Sequence, residues 1–338
     1  MIDISSNTII DISSNTIIDI SSNTIIDISS NTIIDISSNT IIDISSNTIG
    51  PNIIKHMVIG GGGQYGLTMY GIIKEAHKKG FWKYENIQSL YGTSIGSFIC
   101  LLIVLKYDWD VLDRYFIERP WETVFNFDLS TILYAFENRG LFDQTTMDKL
   151  IKPLLLGKDI PINITLLELY DRTGIDLYIT TSELVNFELN VLSHKTHPDW
   201  CILDAIYASC SLPVIFAPII KNDCCYVDGG LFSSYPLDIC IKDGCNTNEV
   251  FGIRKTSSSN REPIDNKSSL FDIIKNAMRN AMKYFNSVPI DTIRNEINVQ
   301  GGPISFEGII RFSTSKEERI KMINEGCNAF TDFYQTKL

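Results

Sequence analysis

The chain reads as an α/β protein with a mostly parallel sheet covered on both faces, and three observations lead there. Beyond Gly50-Pro51, short apolar strands alternate with amphipathic helices, the pattern of parallel strands joined by crossovers. A glycine-rich loop, Gly60-Gly61-Gly62-Gly63-Gln64-Tyr65-Gly66, joins the first of these strands to the first helix. A second strand runs into Gly92-Thr93-Ser94-Ile95-Gly96, a G-x-S-x-G turn that opens an apolar helix.

The elements follow in order. Residues 1–49 are six near-perfect copies of Ile-Asp-Ile-Ser-Ser-Asn-Thr-Ile. The unit is shorter than helical or propeller repeats. It has no glycine to turn a tight coil and no aromatic to fill a core, so a disordered low-complexity tail is expected. Strand-forming self-association through the Ile-Ile-Asp-Ile seams is the alternative. Met57–Ile59 forms a strand, residues 67–79 a helix closed by Gly80, Ile87–Tyr91 a strand, and residues 95–106 a helix. Pro120 interrupts a mostly helical middle, and Asp143 caps a helix through Leu150. Residues 176–181 and 187–192 alternate like strands about a turn at Val185-Asn186. Residues 203–210 are helical, Tyr226-Val227 and Val250–Arg254 are strands, and helices over 268–285 and 316–333 end the chain.

Composition bounds the chemistry. Without the tail roughly 290 residues remain, enough for one large domain with a well-buried core. The six tail aspartates account for six of the eleven net negative charges, leaving the rest at −5. Such a surface lacks the clustered cations that nucleic acid demands. Eight cysteines without a C-x-x-C pair point to free thiols in a reducing, cytoplasmic compartment. The N-terminus lacks the basic start of a cleavable signal peptide. The longest apolar run, Ser97 to Leu105, is far below the ~20 residues of a membrane span.

The glycine loop admits three uses. Gly61-x-Gly63-x-x-Gly66 matches a dinucleotide fingerprint, but Glu85 precedes the next strand where that fingerprint wants an acid ending it. Gly61-x-x-x-x-Gly66 approaches a P-loop with Leu67 at the lysine position, which removes the phosphate contact. An oxyanion hole needs only backbone N–H donors, which bare glycines present well. In the serine turn, Gly92 and Gly96 allow the strand and helix to pack closely, and Ser94 sits at the helix's positive end. A hydrolase triad would place a histidine after the acid, yet no histidine lies beyond His197. Asp228, between the strand pair Tyr226-Val227 and Gly229-Gly230, is therefore read as the base itself. His194 and His197 lie in a polar loop and are left out of the chemistry, as is a zinc site with Cys201.

Taken together, these pieces resemble the patatin-like phospholipases. The resemblance covers Val58 to Ile241 and rests on Gly61–Gly66, Gly92–Gly96 and Asp228-Gly229-Gly230. Ala208-Ser209-Cys210-Ser211-Leu212-Pro213 also looks like the family's segment before the aspartate strand. It implies a three-layer α/β/α fold, a catalytic core over residues 55–245, and a C-terminal α/β extension over 246–338 packed on it. It further implies a Ser-Asp dyad with Ser94 as nucleophile and Asp228 as base. Gly61, Gly62 and Gly63 would form the oxyanion hole, and Gly66, Gly92, Gly96, Gly229 and Gly230 would support these turns. No cofactor or metal is implied, and the substrate is a lipid or phospholipid ester. The family usually carries Arg or Lys where this chain has Tyr65, and often Ala where it has Ile95.

A lipid substrate is met at an interface. Lys275, Arg279 and Lys283 form one stripe of the 268–285 helix, with Phe271, Ile274, Met278, Met282 and Phe285 elsewhere around it, an arrangement suited to peripheral membrane contact. Packing of that helix on its own domain is the competing reading. Two other functions stay open: a non-enzymatic patatin-like protein acting through its repeat tail, and a nucleotide-binding α/β protein.

Overall fold

The computed structural model describes residues 53–125, 135, 137–257, 264–266, 268–287, 292–302 and 305–337, with six strand segments in the first 43 positions. The chain divides into two compact units, Met1–Asn52 and Ile53–Leu338.

In the first unit, β1 (Ile2–Asp3), β2 (Thr8–Asp11), β3 (Thr16–Asp19), β4 (Thr24–Asp27), β5 (Thr32–Asp35) and β6 (Thr40–Asp43) pair antiparallel in sequential order. Ile9 faces Ile18 and Ile10 faces Ile17, and the later octads repeat this register. These paired segments depart from the expected disorder. Thr-Ile-Ile is β-branched throughout, and an identical period lets each strand meet the next in the same register.

The second unit begins with β7 (His56–Ile59), α1 (Gly66–Lys78), β8 (Ser89–Thr93), α2 (Ile95–Leu105), α3 (Trp109–Glu118), β9 (Gly140–Phe142) and α4 (Gln144–Leu156). It continues with α5 (Leu166–Thr173), β10 (Asp176–Glu183), β11 (Glu188–Leu192), α6 (Ile202–Cys210), β12 (Val214–Phe216), β13 (Ile219–Lys221) and β14 (Cys224–Asp228). It closes with α7 (Leu237–Lys242), β15 (Val250–Ser257), α8 (Leu270–Phe285), β16 (Asn295–Gly301), α9 (Phe306–Thr314) and α10 (Lys316–Gln335). Asp143 caps α4 by accepting from the Thr145 amide, but the helix runs six residues past Leu150. Pro153 sits within its last turn. The Lys149 carbonyl, which a proline cannot serve, accepts from Arg119 Nη2 at 2.8 Å.

The main sheet runs β13-β14-β10-β8-β7-β15-β16, with β11 hairpinned onto β10. From β10 to β16 every pairing is parallel, and β14 and β13 add an antiparallel edge. Residues 246–338 thus supply two strands of the core sheet. Their last helix, α10, lies along α1, where Gly326 meets the Thr68 carbonyl and Gly71 meets the Ile323 carbonyl too closely for a Cβ.

Strand periodicity divides the core between two faces. Met57, Ile59, Leu90, Leu177 and Ile179 join the larger cluster with residues of α1, α2, α4, α6 and α10. The alternate residues Val58, Tyr91 and Tyr178 point to a smaller cluster with Leu237 and Cys240 of α7. This is a three-layer α/β/α fold with a mostly parallel central sheet.

Candidate active site

The sheet register brings the two motifs together. Thr93, the last residue of β8, lies opposite Thr180 of β10, and Asp228, the last residue of β14, lies opposite Thr181. Consecutive residues of one strand therefore position the residue before Ser94 and the aspartate itself. Ser94 Oγ donates to Asp228 Oδ2 at 2.6 Å. Asp228 Oδ1 accepts from the Gly230 amide at 2.7 Å, so the glycine after the aspartate orients the carboxylate.

Ser94 adopts φ 55°, ψ −131°, a strained conformation for a residue with a Cβ. The surroundings over-determine it. Its amide donates to Ser209 Oγ at 2.8 Å, and its carbonyl accepts from Ser97 Oγ at 2.6 Å and from the Ser97 amide at 2.8 Å. A Cβ on Gly96 would strike the Ile59 carbonyl, and one on Gly92 would come within 2.5 Å of Ser97 Cα. The small residues expected at the bend are thus required by close approach of β8, β7 and α2. Gly229 fills the same need against the Thr180 carbonyl.

Both residues of this pair are buried, Ser94 at 8% and Asp228 at 4% exposure. Desolvation pushes the Asp228 carboxyl up from an ordinary 3.8 to about 6, against the Ser94 and Gly230 hydrogen bonds that favour its charged form. A neutral serine hydroxyl donating to a nearly apolar-buried carboxylate is poised for proton transfer.

The glycine loop calls for one correction. The Gly61 amide donates to the Ser234 carbonyl at 2.8 Å and is not available as an oxyanion donor. Gly61 instead offers a bare surface, since a Cβ there would lie 3.3 Å from Ser94 Cβ. Among the described residues the Gly62 and Gly63 amides meet no acceptor, and Gly63 takes φ 53° at the turn into α1. Gly66 leaves room for Ile95, whose Cγ1 would collide with any Cβ there. Tyr65, standing where the family usually has a cation, accepts from the Gly302 amide at 2.7 Å and ties the loop to the end of β16.

Ser94 and Asp228 open onto a cavity of about 130 Å³, well above the ~10–15 Å³ that one water needs. Its walls are predominantly apolar, with Ile95, Phe98, Leu102, Phe116, Met147 and Phe312 among them. Neither His194 nor His197 lines it. His194 stacks on Tyr170 at 3.8 Å and faces Asp176 at 3.6 Å, while His197 pairs with Thr196. Among the described residues no cluster of His, Cys, Asp or Glu is placed to hold a metal ion, Cys201 included.

Sequence reasoning missed two residues that hold the site. Ser209 fixes the nucleophile amide, and its only signal was the Ala-Ser-Cys-Ser-Leu-Pro segment, whose Ser211 carbonyl also accepts the Asp228 amide at 3.0 Å. Asn286, just past α8, accepts from the Ser234 amide at 2.6 Å and donates to the Gly230 carbonyl at 3.0 Å. It clamps the aspartate turn to the segment that engages Gly61. Met282 and Phe285 of α8 face the same turn, with Phe285 against Phe232 and Phe187 at 4.9 and 5.7 Å. Lys283 is exposed and Arg279 bonds Asn276 at 2.6 Å; the side chains of Lys275 and Phe271 lie outside the described residues.

A serine–carboxylate pair thus sits at a strained strand-to-helix turn, beside a bare glycine loop and an apolar cavity. The chain belongs to the patatin-like phospholipase family, whose model matches residues 57–241. It is 28% identical over 195 residues to a protein of Invertebrate iridescent virus 6 described as a probable lipid hydrolase, covering 57% of this chain and 65% of that one. It is 25% identical over 190 residues to protein R571 of Acanthamoeba polyphaga mimivirus, covering 56% and 62%. It is 24% identical over 169 residues to a triacylglycerol lipase of Schizosaccharomyces pombe, covering 47% and 33%. The matches thus span less than two thirds of these relatives. Among solved structures, VipD from Legionella pneumophila is similar with a TM-score of 0.46 and 15% identity, covering 81% of this chain and 67% of that one.

Proposed function

We propose that the protein is a lipid acyl hydrolase of phospholipase A type, working through a Ser94–Asp228 dyad and an acyl-enzyme. The observation that carries this reading is the 2.6 Å Ser94–Asp228 hydrogen bond at the mouth of an apolar cavity. Ser94 Oγ attacks the ester carbonyl carbon while Asp228 takes its proton. The negative oxygen is held by the Gly62 and Gly63 amides. The C–O bond to the alcohol then breaks, and Asp228 returns its proton to the leaving oxygen. Water, deprotonated by Asp228, attacks the acyl carbonyl; the bond to Ser94 Oγ breaks, Asp228 returns the proton to Oγ, and the fatty acid leaves. A carboxyl raised to about 6 suits this exchange, because a base works best with a pKa near the working pH.

The acyl chain occupies the apolar cavity, and the protein works on a lipid surface by peripheral contact. Ile273, Ile274, Lys283 and Tyr284 of α8 are all exposed, which supports that contact. Among the described residues no helix is long and apolar enough to cross a membrane. Incubating the full chain with phosphatidylcholine vesicles containing an anionic lipid should release fatty acid, and Ser94→Ala should reduce release to background. Folded protein that hydrolyses neither phospholipid nor neutral acylglycerol esters would overturn the proposal.

A further inference from the structure

A second group of reactive side chains lies at the other end of the same strands. His56 and Ser89 open β7 and β8, whereas Ser94 follows the last residue of β8, so about 16 Å of strand separates the two places. Cys245, half-buried in the turn after α7, has its Sγ 3.5 Å from Tyr91 Oη. Cys240 and Tyr91 belong to one buried cluster, and Cys245 packs against it. The Cys245 amide donates to the Cys240 carbonyl at 3.3 Å, which folds the turn back and sets the two cysteines side by side, at a backbone separation a disulfide can bridge. Asp243 accepts from Tyr91 Oη at 2.9 Å, and His56 Nδ1 pairs with Ser89 Oγ at 2.7 Å.

The two sulfurs differ in character. The interaction with Cys240 first, then the neighbouring His56, holds the Cys245 thiol below the ordinary range against the pull of burial. Cys240 is fully buried, and the same interaction together with its burial keeps it protonated. Burial pushes the Cys100, Cys201, Cys210, Cys225 and Cys327 thiols up. A half-buried thiol biased toward ionisation beside a second, fully buried thiol is the arrangement of a peroxide-reactive dithiol.

We propose that Cys245 and Cys240 form a redox site that is oxidised by a small hydroperoxide. The Cys245 sulfur attacks one peroxide oxygen, the O–O bond breaks, and hydroxide leaves from hydrogen peroxide, giving a sulfenic acid. Cys240 then attacks that sulfur; the S–O bond breaks, an S–S bond forms, and the hydroxide departs with the Cys240 proton as water. Each sulfur loses one electron, and the peroxide accepts two.

The full-length protein tests this directly. Iodoacetamide at neutral pH should modify Cys245 at least about tenfold faster than Cys201, Cys225 or Cys327, read by peptide mass spectrometry. Dilute hydrogen peroxide should remove two of the eight thiols and yield a Cys240–Cys245 linked peptide. In Cys240→Ser the same treatment should leave a sulfenic acid on Cys245 that dimedone captures, and in Cys245→Ser no linked peptide should form. Wild-type labelling in which Cys245 reacts no faster than the other half-buried thiols would overturn the site without recourse to a variant. So would peroxide consumption that spreads over other cysteines with no Cys240–Cys245 link.

Discussion

Replacing Asp228 with Asn isolates the charge that the site buries. The carboxyl is raised from 3.8 to about 6 chiefly by desolvation. A carboxyl raised on folding holds its proton more tightly in the native state than in the unfolded chain. The native state therefore gains its full advantage below about pH 3.8 and loses it as pH rises through about 6. A shift of about two units, at about 1.4 kcal/mol per unit, amounts to roughly 3 kcal/mol. Asn keeps the shape and both contacts: its Oδ1 accepts from the Gly230 amide, and its Nδ2 donates to Ser94 Oγ. The unfolding free energy of Asp228→Asn minus that of the wild type should thus rise by about 2–3 kcal/mol between about pH 4 and pH 7.5. Urea denaturation across that range measures it, and titrations elsewhere cancel in the difference. A flat difference would refute the buried-charge account, and a falling one would mean that the native site favours the carboxylate.

Ester hydrolysis in Ser94→Ala, in Asp228→Asn and in the double variant should fall to the same residual rate, because the pair acts as one proton-transfer unit. Replacing His194 and His197 together by Gln should leave the rate within about twofold, and the wild-type rate should climb as Asp228 ionises through about pH 6. Asn286→Ala leaves the Ser234 amide and the Gly230 carbonyl without their partner, so the body should lose about 1–3 kcal/mol in urea denaturation and turn over more slowly. Removing residues 1–49 should shift the melting temperature of the remainder by less than about 2 °C, since residues 53–338 hold their own core. Charge reversal at Lys275, Arg279 and Lys283 should depress activity on anionic vesicles more than activity on a soluble short-chain ester, and the gap should narrow in high salt.

What was legible in the sequence is what local chemistry dictates. The serine turn, the aspartate turn and the glycine loop are each written in a few consecutive residues, because bends that tight tolerate little else. The alternating strands likewise announce themselves by period. Contacts between distant segments leave no such mark: Ser209 reaches the Ser94 amide across 115 positions, and Asn286 reaches Ser234 across 52. The commitment of the Gly61 amide to Ser234 was hidden for the same reason. β16 and α9 went unread because the Asn295–Gly301 stretch is half polar and Phe306–Thr314 is short. In the octads, composition pointed to a solvated tail, while the described segments pair as strands through a register that only the exact repeat makes available.

The nucleophile itself is the most direct test. A fluorophosphonate carries a tetrahedral electrophile that forms a stable bond only with an activated hydroxyl in reach of a base and an oxyanion hole. Treating the folded full-length chain with such a probe, then mapping the adduct by peptide mass spectrometry, should place the label on Ser94 and lose it in Asp228→Asn. An unlabelled folded chain, or a label that persists undiminished without the Asp228 carboxylate, would contradict a Ser94–Asp228 hydrolase.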